Sequence, residues 1–505
     1  MAKITLSGFM GAGKTTIGKI LSEKLNVPFI DLDEEIEKET NLTIPEIFKR
    51  KGEEGFREIE RQILIKNLHK KNDFVYALGG GAVANDASLK CVLQNSIPIL
   101  LYGSVKLLFN RAKKEDNRPL LRDFNSFNAL YESRKKFYEK IPIKISIENE
   151  PEIIASKILD ILSEKKWENP QKISFKIGEL FDLDMCKENS FSVIDKNVHQ
   201  LYNKHLPKCN SYIIKNGEKS KNINEIIKLY DFFGRNNAER GACLYGIGGG
   251  VTGDISGFVA STYNRGIGFV SVPTTLIAQT DSAIGGKNGV NSPYGKNLIG
   301  TFRLPDRTFI DPLFLNTLSE KEILSGMGEI FKYSVLSENG LFEMLQKKID
   351  FNLLTELIPI CIEEKLKYIH DDIEDRKGKR IFLNLGHTVG HMCENVLGYG
   401  SITHGEGVAF GIIVASYVSY KRKRLKERDF ERIAALYNKL GFSTKKLEAI
   451  KRMDEDTLAD ILLHDKKVQN KLLNIIVPDK YNHAILLKEI SVKEIIDATK
   501  EVLSL

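Results

Sequence analysis

Cysteine, histidine and tryptophan are scarce in this chain, and long apolar runs are missing. Six cysteines in 505 residues, Cys91, Cys186, Cys209, Cys243, Cys361 and Cys393, stand far apart and form no C-x-x-C pair. That excludes a zinc ribbon and a thioredoxin-type redox motif, and scattered thiols suit a reducing cytoplasm. The longest uncharged apolar stretch, residues 407–420, is too short to span a bilayer and reads as a buried helix. The opening MAKITLSGFM has no apolar run of the secretory kind. A soluble, cytoplasmic protein without a membrane partner is expected. Neither sign of charge dominates: 74 Lys and Arg stand against 67 Asp and Glu, a net charge of +7. Such a balance suits acidic small substrates and gives no reason to expect nucleic acid. The densest basic run, KRKRLKER at 421–428, continues the apolar stretch and reads as a solvated helix end.

What the chain has in excess is glycine, concentrated in one place. Residues 246–303 hold thirteen glycines, well above the roughly 7% of average usage. Glycine lets backbone N–H groups approach phosphate oxygens closely and supplies positive φ. Asp254, Arg265, Asp281, Lys287, Lys296, Asn297 and Arg303 sit among them, and the cations add charge-assisted contacts to anions. The stretch reads as a surface for phosphorylated ligands, or as a set of tight turns in an α/β domain. The length suggests about three domains. A polar join, SEKKWENPQKISFK at 163–176, places one boundary near residues 167–171.

The first 165 residues open with a strand, KITLS, that runs into GFMGAGKT at residues 8–15 and then into an amphipathic segment. This is G-x-x-x-x-G-K-[ST] in the strand–loop–helix context it requires. Gly8, Gly11 and Gly13 shape a loop whose N–H groups, with the helix N-terminus, face phosphates. Lys14 reaches the outer phosphates, and Thr15, followed by Thr16, offers a hydroxyl to Mg²⁺. The next strand ends in Asp31-x-Asp33. These carboxylates either serve a metal or a substrate hydroxyl, or cap a helix. Then follow GEEGFRE with Arg57, a strand ending in Gly79, Gly80 and Gly81, the loop RPLL with Arg118, and LYESRKKFY with Arg134.

This ordered set resembles shikimate kinase. The resemblance implies a P-loop domain with a parallel sheet over residues 1–165. ATP and Mg²⁺ then belong at Gly8, Gly11, Gly13, Lys14, Thr15 and Thr16, with Asp31 near the metal. It implies that Asp33 holds the shikimate hydroxyls and helps activate one of them. Arg57, Arg134, Gly79 and Gly80 hold the substrate carboxylate, and Arg118 reaches the phosphates.

In the second half, strands at FSVIDKNV and SYIIKNGE alternate with helical segments, which predicts a parallel sheet covered by helices. Asp195 ends the first strand; Glu218 and Lys221 follow the second. GIGGG at 246–250 follows a strand, but the spacing departs from G-x-G-x-x-G, so the dinucleotide signal is weak by itself. After Pro305 the texture becomes helical. Glu329 and Lys332 lie one turn apart, and His387 and His391 fall at i, i+4 on one face. With His404, three of the nine histidines occupy eighteen residues. Neutral imidazoles with a carboxylate make a zinc site, whereas any single histidine is as readily a capping or core residue.

The motifs GGGVTGDISGFVASTYNRG, VPTTLIAQTDSAIGGKNGVN, GKNLIGTF, GEIFKY, NLGHTVGH, HGEGVAFG and HDKK together resemble 3-dehydroquinate synthase. The resemblance implies an α/β dinucleotide-binding domain at 171–305 and a mainly helical, metal- and substrate-binding domain at 306–505. NAD⁺ is implied at Asp195, Glu218, Lys221, Gly248, Gly249, Gly250, Asp254, Thr274, Thr275 and Asp281, with Lys296, Phe314 and Thr317 beside it. Zn²⁺ or Co²⁺ is implied at Glu329, His387 and His404, so His391 becomes a catalytic neighbour of the metal, not a ligand. Lys287, Asn297 and Lys332 are implied around the substrate phosphate, Lys287 and Lys332 also acting in catalysis. Lys365, Arg380, Asn384 and one of Lys466 and Lys467 are implied around the carboxylate and hydroxyls. The segment between Lys365 and Arg380 is one residue longer than the family spacing. Arg265 is implied to reach a neighbouring subunit, hence a homodimer through this half. The whole chain thus resembles a fusion of two enzymes of aromatic amino-acid biosynthesis. The alternative is that one half alone is catalytic, with the P-loop half serving as an ATP-binding regulatory module.

Overall fold

The structure is a computed structural model. It describes residues 3–70, 72–113, 123–182, 189–398, 400–464 and 472–504. Arg118, Lys466 and Lys467 lie outside the described residues. The chain divides into two compact units, one of residues 1–164, 176–184 and 350–352, the other of 165–175, 185–349 and 353–505.

The first unit begins with β1 (Lys3–Ser7), the glycine loop, α1 (Lys14–Leu25), β2 (Phe29–Asp31), α2 (Leu32–Thr40), α3 (Ile44–Leu68) and β3 (Phe74–Ala77). It continues with α4 (Asp86–Asn95), β4 (Ile97–Tyr102), α5 (Val105–Ala112), α6 (Phe124–Tyr138), β5 (Ile143–Ser146) and α7 (Pro151–Leu162). The five strands form one parallel sheet in the order β2-β3-β1-β4-β5. β1 is central, with Ile4 between Val75 and Ile97. A central parallel strand is covered on both faces, and residues 4–7 are all buried, with Ile4 and Leu6 on one face and Thr5, hydrogen-bonded to Ser96, on the other. The chain crosses from one side of β1 to the other, which puts a ligand crevice at its carboxyl end. There Gly11 takes φ 80°, and a Cβ on it would lie 2.3 Å from the Leu108 carbonyl oxygen, so glycine is required.

The second unit carries a seven-stranded sheet built from β6 (Lys165–Trp167), β7 (Ile173–Phe175), β8 (Ser190–Asp195), β9 (Asn210–Ile214), β10 (Cys243–Gly248), β11 (Gly268–Pro273) and β14 (Arg307–Ile310). Their order is β6-β7-β14-β11-β10-β8-β9. Every pairing is parallel except β6 with β7. Helices α8 (Lys196–Tyr202), α9 (Ile223–Arg235) and α10 (Gly250–Thr262) alternate with these strands. A separate antiparallel hairpin, β12 (Lys287–Ser292) and β13 (Gly295–Phe302), pairs Lys287 with Phe302.

Beyond β14 come α11 (Glu320–Leu336), α12 (Leu341–Met344), α13 (Phe351–Ile369), α14 (His387–Leu397), α15 (His404–Lys421), α16 (Glu427–Lys439) and α17 (Glu455–His464). A hairpin of β15 (Leu472–Lys480) and β16 (His483–Ser491), then α18 (Val492–Val502), completes the unit. The apolar stretch at 407–420 is α15, whose residues 407–419 are all buried. Its glycines bring its backbone against two neighbours. A Cβ on Gly405 would lie 1.8 Å from the Ser325 carbonyl oxygen of α11. One on Gly411 would lie 1.9 Å from the oxygen of Gly386, at the start of α14. The basic run begins at the end of α15, and its first two residues are ion-paired: Lys421 reaches Glu501 at 3.1 Å and Arg422 reaches Glu494 at 2.6 Å. No helix among the described residues is long and apolar enough to cross a membrane.

Candidate functional site

In the first unit the glycine loop brings Lys14 back over itself, its Nζ donating to the carbonyls of Gly8 (2.9 Å) and Phe9 (3.3 Å). Asp31 caps a helix, as one of its two readings expects, and its second oxygen faces the P-loop. Its Oδ1 accepts from the Asp33 N–H at 3.0 Å, capping α2, and its Oδ2 accepts from the Thr15 hydroxyl at 2.8 Å. Thr15 and Thr16 are exposed. Phe9 stacks edge-on with Phe127, Tyr131 and Tyr138, which packs α6 onto the loop and sets Arg134 over the Phe9 ring.

The triple-glycine turn after β3 gathers the other candidates. A Cβ on Gly79 would lie 3.1 Å from Asp33 Oδ1 and 2.6 Å from Glu60 Oε1, and one on Gly81 would lie 2.5 Å from Arg57 Nη1. The Gly80 carbonyl accepts from Arg134 Nη1 at 3.1 Å and from the Tyr138 hydroxyl at 2.5 Å. Asp33, Arg57 and Arg134 thus meet at one turn. Two residues that the sequence did not single out support them. Tyr138 grips Gly80, and buried Glu60 accepts from Arg57 at 2.7 Å. Burial pushes the Glu60 carboxyl up, and Arg57 only partly offsets it.

In the second unit two cavities flank a cluster of charges. One, of about 430 Å³, is lined by Asp195, Gly249, Gly250, Thr274, Thr275, Phe314 and Thr317 among others. Asp195 caps α8 by accepting from the N–H groups of Asn197 (2.8 Å) and Val198 (3.3 Å), and burial raises its pKa. Glu218 and Lys221 do not line this cavity. Glu218 accepts from Asn291 at 2.7 Å and Lys221 pairs with Asp254. Asp254 and Gly248 line a narrower crevice beside Gly249 and Gly250.

The second cavity, of about 500 Å³, is lined by Asp254, Asp281, Lys287, Asn297, Lys365 and Arg380 among others. Lys365 therefore stands with the other substrate candidates despite the longer segment before Arg380. Lys287 Nζ donates to Asp375 at 2.6 Å, and Arg380 donates to the carbonyls of Gly285 (3.1 Å) and Ile373 (2.6 Å). Asn384 is exposed and lines a different, narrow crevice with Gly386 and Thr388. Lys332 is fully buried, held by Asp281 at 3.2 Å and by Glu329 at 2.5 Å. Arg265 lies elsewhere, beside Arg240, Thr262 and Asn264 on an open groove of about 520 Å³, with φ 65°.

Asp281 is the hub. It takes Lys332, Lys365 (2.8 Å) and the Tyr333 hydroxyl. Burial opposes its ionisation, but Lys332 and Lys365 overcome that and hold the carboxyl well below the usual range. Through Lys332 the hub connects to Glu329, His387 and His404, whose ligating atoms all lie within 4.8 Å of one another. Glu329 Oε1 is 3.5 Å from His387 Nε2 and 3.2 Å from His404 Nε2.

This group corrects the i, i+4 reading of the histidines. His391 lies near both rings, at centroid distances of 5.6 and 5.9 Å, yet the three side chains that converge come from α11, α14 and α15. The glycine crossings of α15 make that convergence possible. Their signal in the sequence was the spacing Gly386-x-x-x-Gly390 and Gly407-x-x-x-Gly411.

The donor set fits a divalent metal of the zinc type. His387 has its Nδ1 on the Leu385 carbonyl (3.1 Å) and His404 has its Nδ1 on Glu394 (2.9 Å). Both Nε2 atoms are left to face Glu329, as ligands oriented by outer partners do. Burial pushes His387 down to about 3, which keeps it neutral. Burial also disfavours charge on His404, but Glu329 and Glu394 raise it to about 10. Both carboxylates also carry a lysine partner, Lys332 on Glu329 and Lys296 on Glu394. Burial opposes the Glu329 charge too, and Lys332 nonetheless brings that carboxyl to about 2.

Residues 10–163 match the protein family described as Shikimate kinase. Residues 211–325 and 326–468 match 3-dehydroquinate synthase N-terminal and 3-dehydroquinate synthase C-terminal. The chain is 36% identical over 429 residues to the bifunctional shikimate kinase/3-dehydroquinate synthase of Thermotoga maritima, covering 83% of this chain and 85% of that protein. It is 40% identical over 313 residues to the 3-dehydroquinate synthase of Buchnera aphidicola, covering 60% of this chain and 83% of that one. A 2-deoxy-scyllo-inosose synthase solved with carbaglucose-6-phosphate, NAD⁺ and Co²⁺ shares the fold of the second unit. Its TM-score is 0.59 at 24% identity, over 67% of this chain and 99% of that chain.

Proposed function

The chain belongs to the bifunctional shikimate kinase/3-dehydroquinate synthase family, and from that premise we propose the substrates and the role of each residue. The first unit phosphorylates the 3-hydroxyl of shikimate with ATP. The second converts 3-deoxy-D-arabino-heptulosonate 7-phosphate to 3-dehydroquinate and phosphate. The observation that carries the second reading is the convergence of Glu329, His387 and His404 beside a cavity lined by Lys287, Asn297, Lys365 and Arg380.

In the first unit Arg57 and Arg134 clamp the shikimate carboxylate at the triple-glycine turn. Asp33 orients the attacking hydroxyl and accepts its proton. Lys14 and the loop N–H groups neutralise the phosphates, with Thr15 and Asp31 placed to hold Mg²⁺. Positioning and charge neutralisation account for most phosphoryl-transfer catalysis. In the second unit NAD⁺ lies along the Gly248–Gly250 turn and the cavity lined by Asp195, Thr274, Thr275, Phe314 and Thr317. Bound there, NAD⁺ and Zn²⁺ or Co²⁺ supply reversible oxidation of the C5 hydroxyl and its polarisation. Lys287 and Asn297 bind the departing phosphate, and Lys332 joins them by exchanging its carboxylate partners. Lys365 and Arg380 hold the substrate's other polar groups, and His391 moves the proton at the hydroxyl. Arg265 serves a second copy, making a homodimer through residues 171–505. Sedimentation of the purified protein as a monomer would remove that part of the proposal.

The test is a pair of assays on one preparation. Shikimate-dependent ADP release should appear, and Asp33→Asn should abolish it while ATP binding persists. Phosphate release from the heptulosonate phosphate should require NAD⁺. Absence of both activities overturns the reading.

A further inference from the structure

Glu394 follows His387 by seven residues on α14, two helical turns on, and so shares its face. Its side chain is buried, and both carboxylate oxygens are engaged. Oε1 accepts from His404 Nδ1 at 2.9 Å, and Oε2 accepts from Lys296 Nζ at 2.6 Å. A buried carboxylate is costly unless paired and hydrogen-bonded, and here the two partners come from different parts of the unit. His404 opens α15, while Lys296 belongs to β13 beside Asn297. His387, by contrast, is oriented by a backbone carbonyl.

The geometry points to Glu394 as a positioning residue. It fixes the Nδ1–H tautomer of His404, so that Nε2 faces the metal position, and it bolts the β12–β13 hairpin to that same histidine through Lys296. The inference rests on the reading of Glu329, His387 and His404 as a metal centre. A carboxylate on Nδ1 does two things. It holds the ring at the angle that brings Nε2 to 3.2 Å from Glu329, and it makes the imidazole a stronger donor. Through Glu394 the hairpin that carries Lys287 and Asn297 shares one anchor with His404, so the cavity side of the site is held against the metal side. Lys296, which the family resemblance puts beside the dinucleotide, thereby has a second task.

The test uses the full chain and measures metal directly. Wild type, Glu394→Gln and Lys296→Met are titrated with Zn²⁺ against a chromogenic chelator, and the visible spectrum of each Co²⁺ form is recorded. Glu394→Gln keeps the shape and removes the charge. It should weaken metal affinity by about 10–100-fold, the range typical of outer-shell partners, and shift the Co²⁺ bands. Lys296→Met leaves the His404 contact in place and should keep the wild-type Co²⁺ spectrum. An unchanged affinity and spectrum in Glu394→Gln overturns the inference while leaving the metal centre standing. Failure of wild type to bind either metal overturns the metal centre and this inference with it. A measurement on wild type avoids any folding defect of the variants. The long-range ¹H–¹⁵N spectrum of the Zn²⁺ form should show His404 protonated at Nδ1 and ligated through Nε2. Ligation through Nδ1 would exclude the proposed role.

Discussion

The two halves of this chain build their sites by opposite routes. In the first unit the phosphate loop, the Asp31–Asp33 strand end and the triple-glycine turn all sit at the carboxyl ends of neighbouring parallel strands. Each is a short local segment, and the sheet order alone places them side by side. In the second unit the candidate metal ligands lie on three helices, up to 75 residues apart (Glu329 to His404). What joins them is the close passage of α15 over α11 and the start of α14, which glycine permits. A site at strand ends tolerates change in the helices behind it. A site at a helix crossing depends on every small residue in the crossing.

That contrast can be broken, most drastically by chelation. Treating the protein with a strong chelator should abolish phosphate release from the heptulosonate phosphate, and Zn²⁺ or Co²⁺ should restore it. Shikimate phosphorylation, assayed after Mg²⁺ is returned, should be unchanged. Kinase loss that Mg²⁺ cannot reverse would mean that the halves are not independent. Next in size is Lys14→Met, which should lower shikimate phosphorylation by about 10²–10³-fold, the usual cost of one preorganised donor to developing charge. Synthase activity serves as its internal control.

Gly405→Ala tests the crossing itself. The added methyl would meet the Ser325 carbonyl oxygen at 1.8 Å, and such overpacking costs about 1–3 kcal/mol. A lower denaturation midpoint for the second unit and weaker metal binding are expected, with kinase activity retained. Wild-type metal affinity in this variant would show that the ligands do not depend on the helix contact. The smallest effect belongs to Tyr138→Phe, which removes the hydroxyl that grips the Gly80 carbonyl. Loss of one hydrogen bond is worth about 0.5–1.5 kcal/mol. On the proposed function, in which Arg57 and Arg134 hold the substrate carboxylate at this turn, the KM for shikimate should rise severalfold while kcat stays near wild type. A fall in kcat alone would place Tyr138 elsewhere in the mechanism.

Legibility followed the same division. The P-loop could be read because one segment supplies strand, loop and helix together. Asp31 left two readings open, and the fold bears out the helix cap, with the second carboxylate oxygen bonded to Thr15. The i, i+4 pair of histidines differs from the group that converges in the fold, because periodicity reports a shared helix face and not what faces it. His404, on another helix, takes the position that spacing offered to His391. Glu394 and Tyr138 left no signal, because a lone Glu or Tyr in a helix reads as surface or core until its partner is known.

The sequence by itself determined the two families and the phosphate loop, because the motifs that carry them are written in residues close together in the chain. Tertiary structure alone decided that Asp281 is the hub for Lys332, Lys365 and Tyr333, that Glu394 joins His404 to Lys296, and that Asn384 stands outside the main cavity. The contacts among them join residues from 10 to 98 positions apart. They form only when burial brings the helices together and obliges every enclosed charge to find a partner.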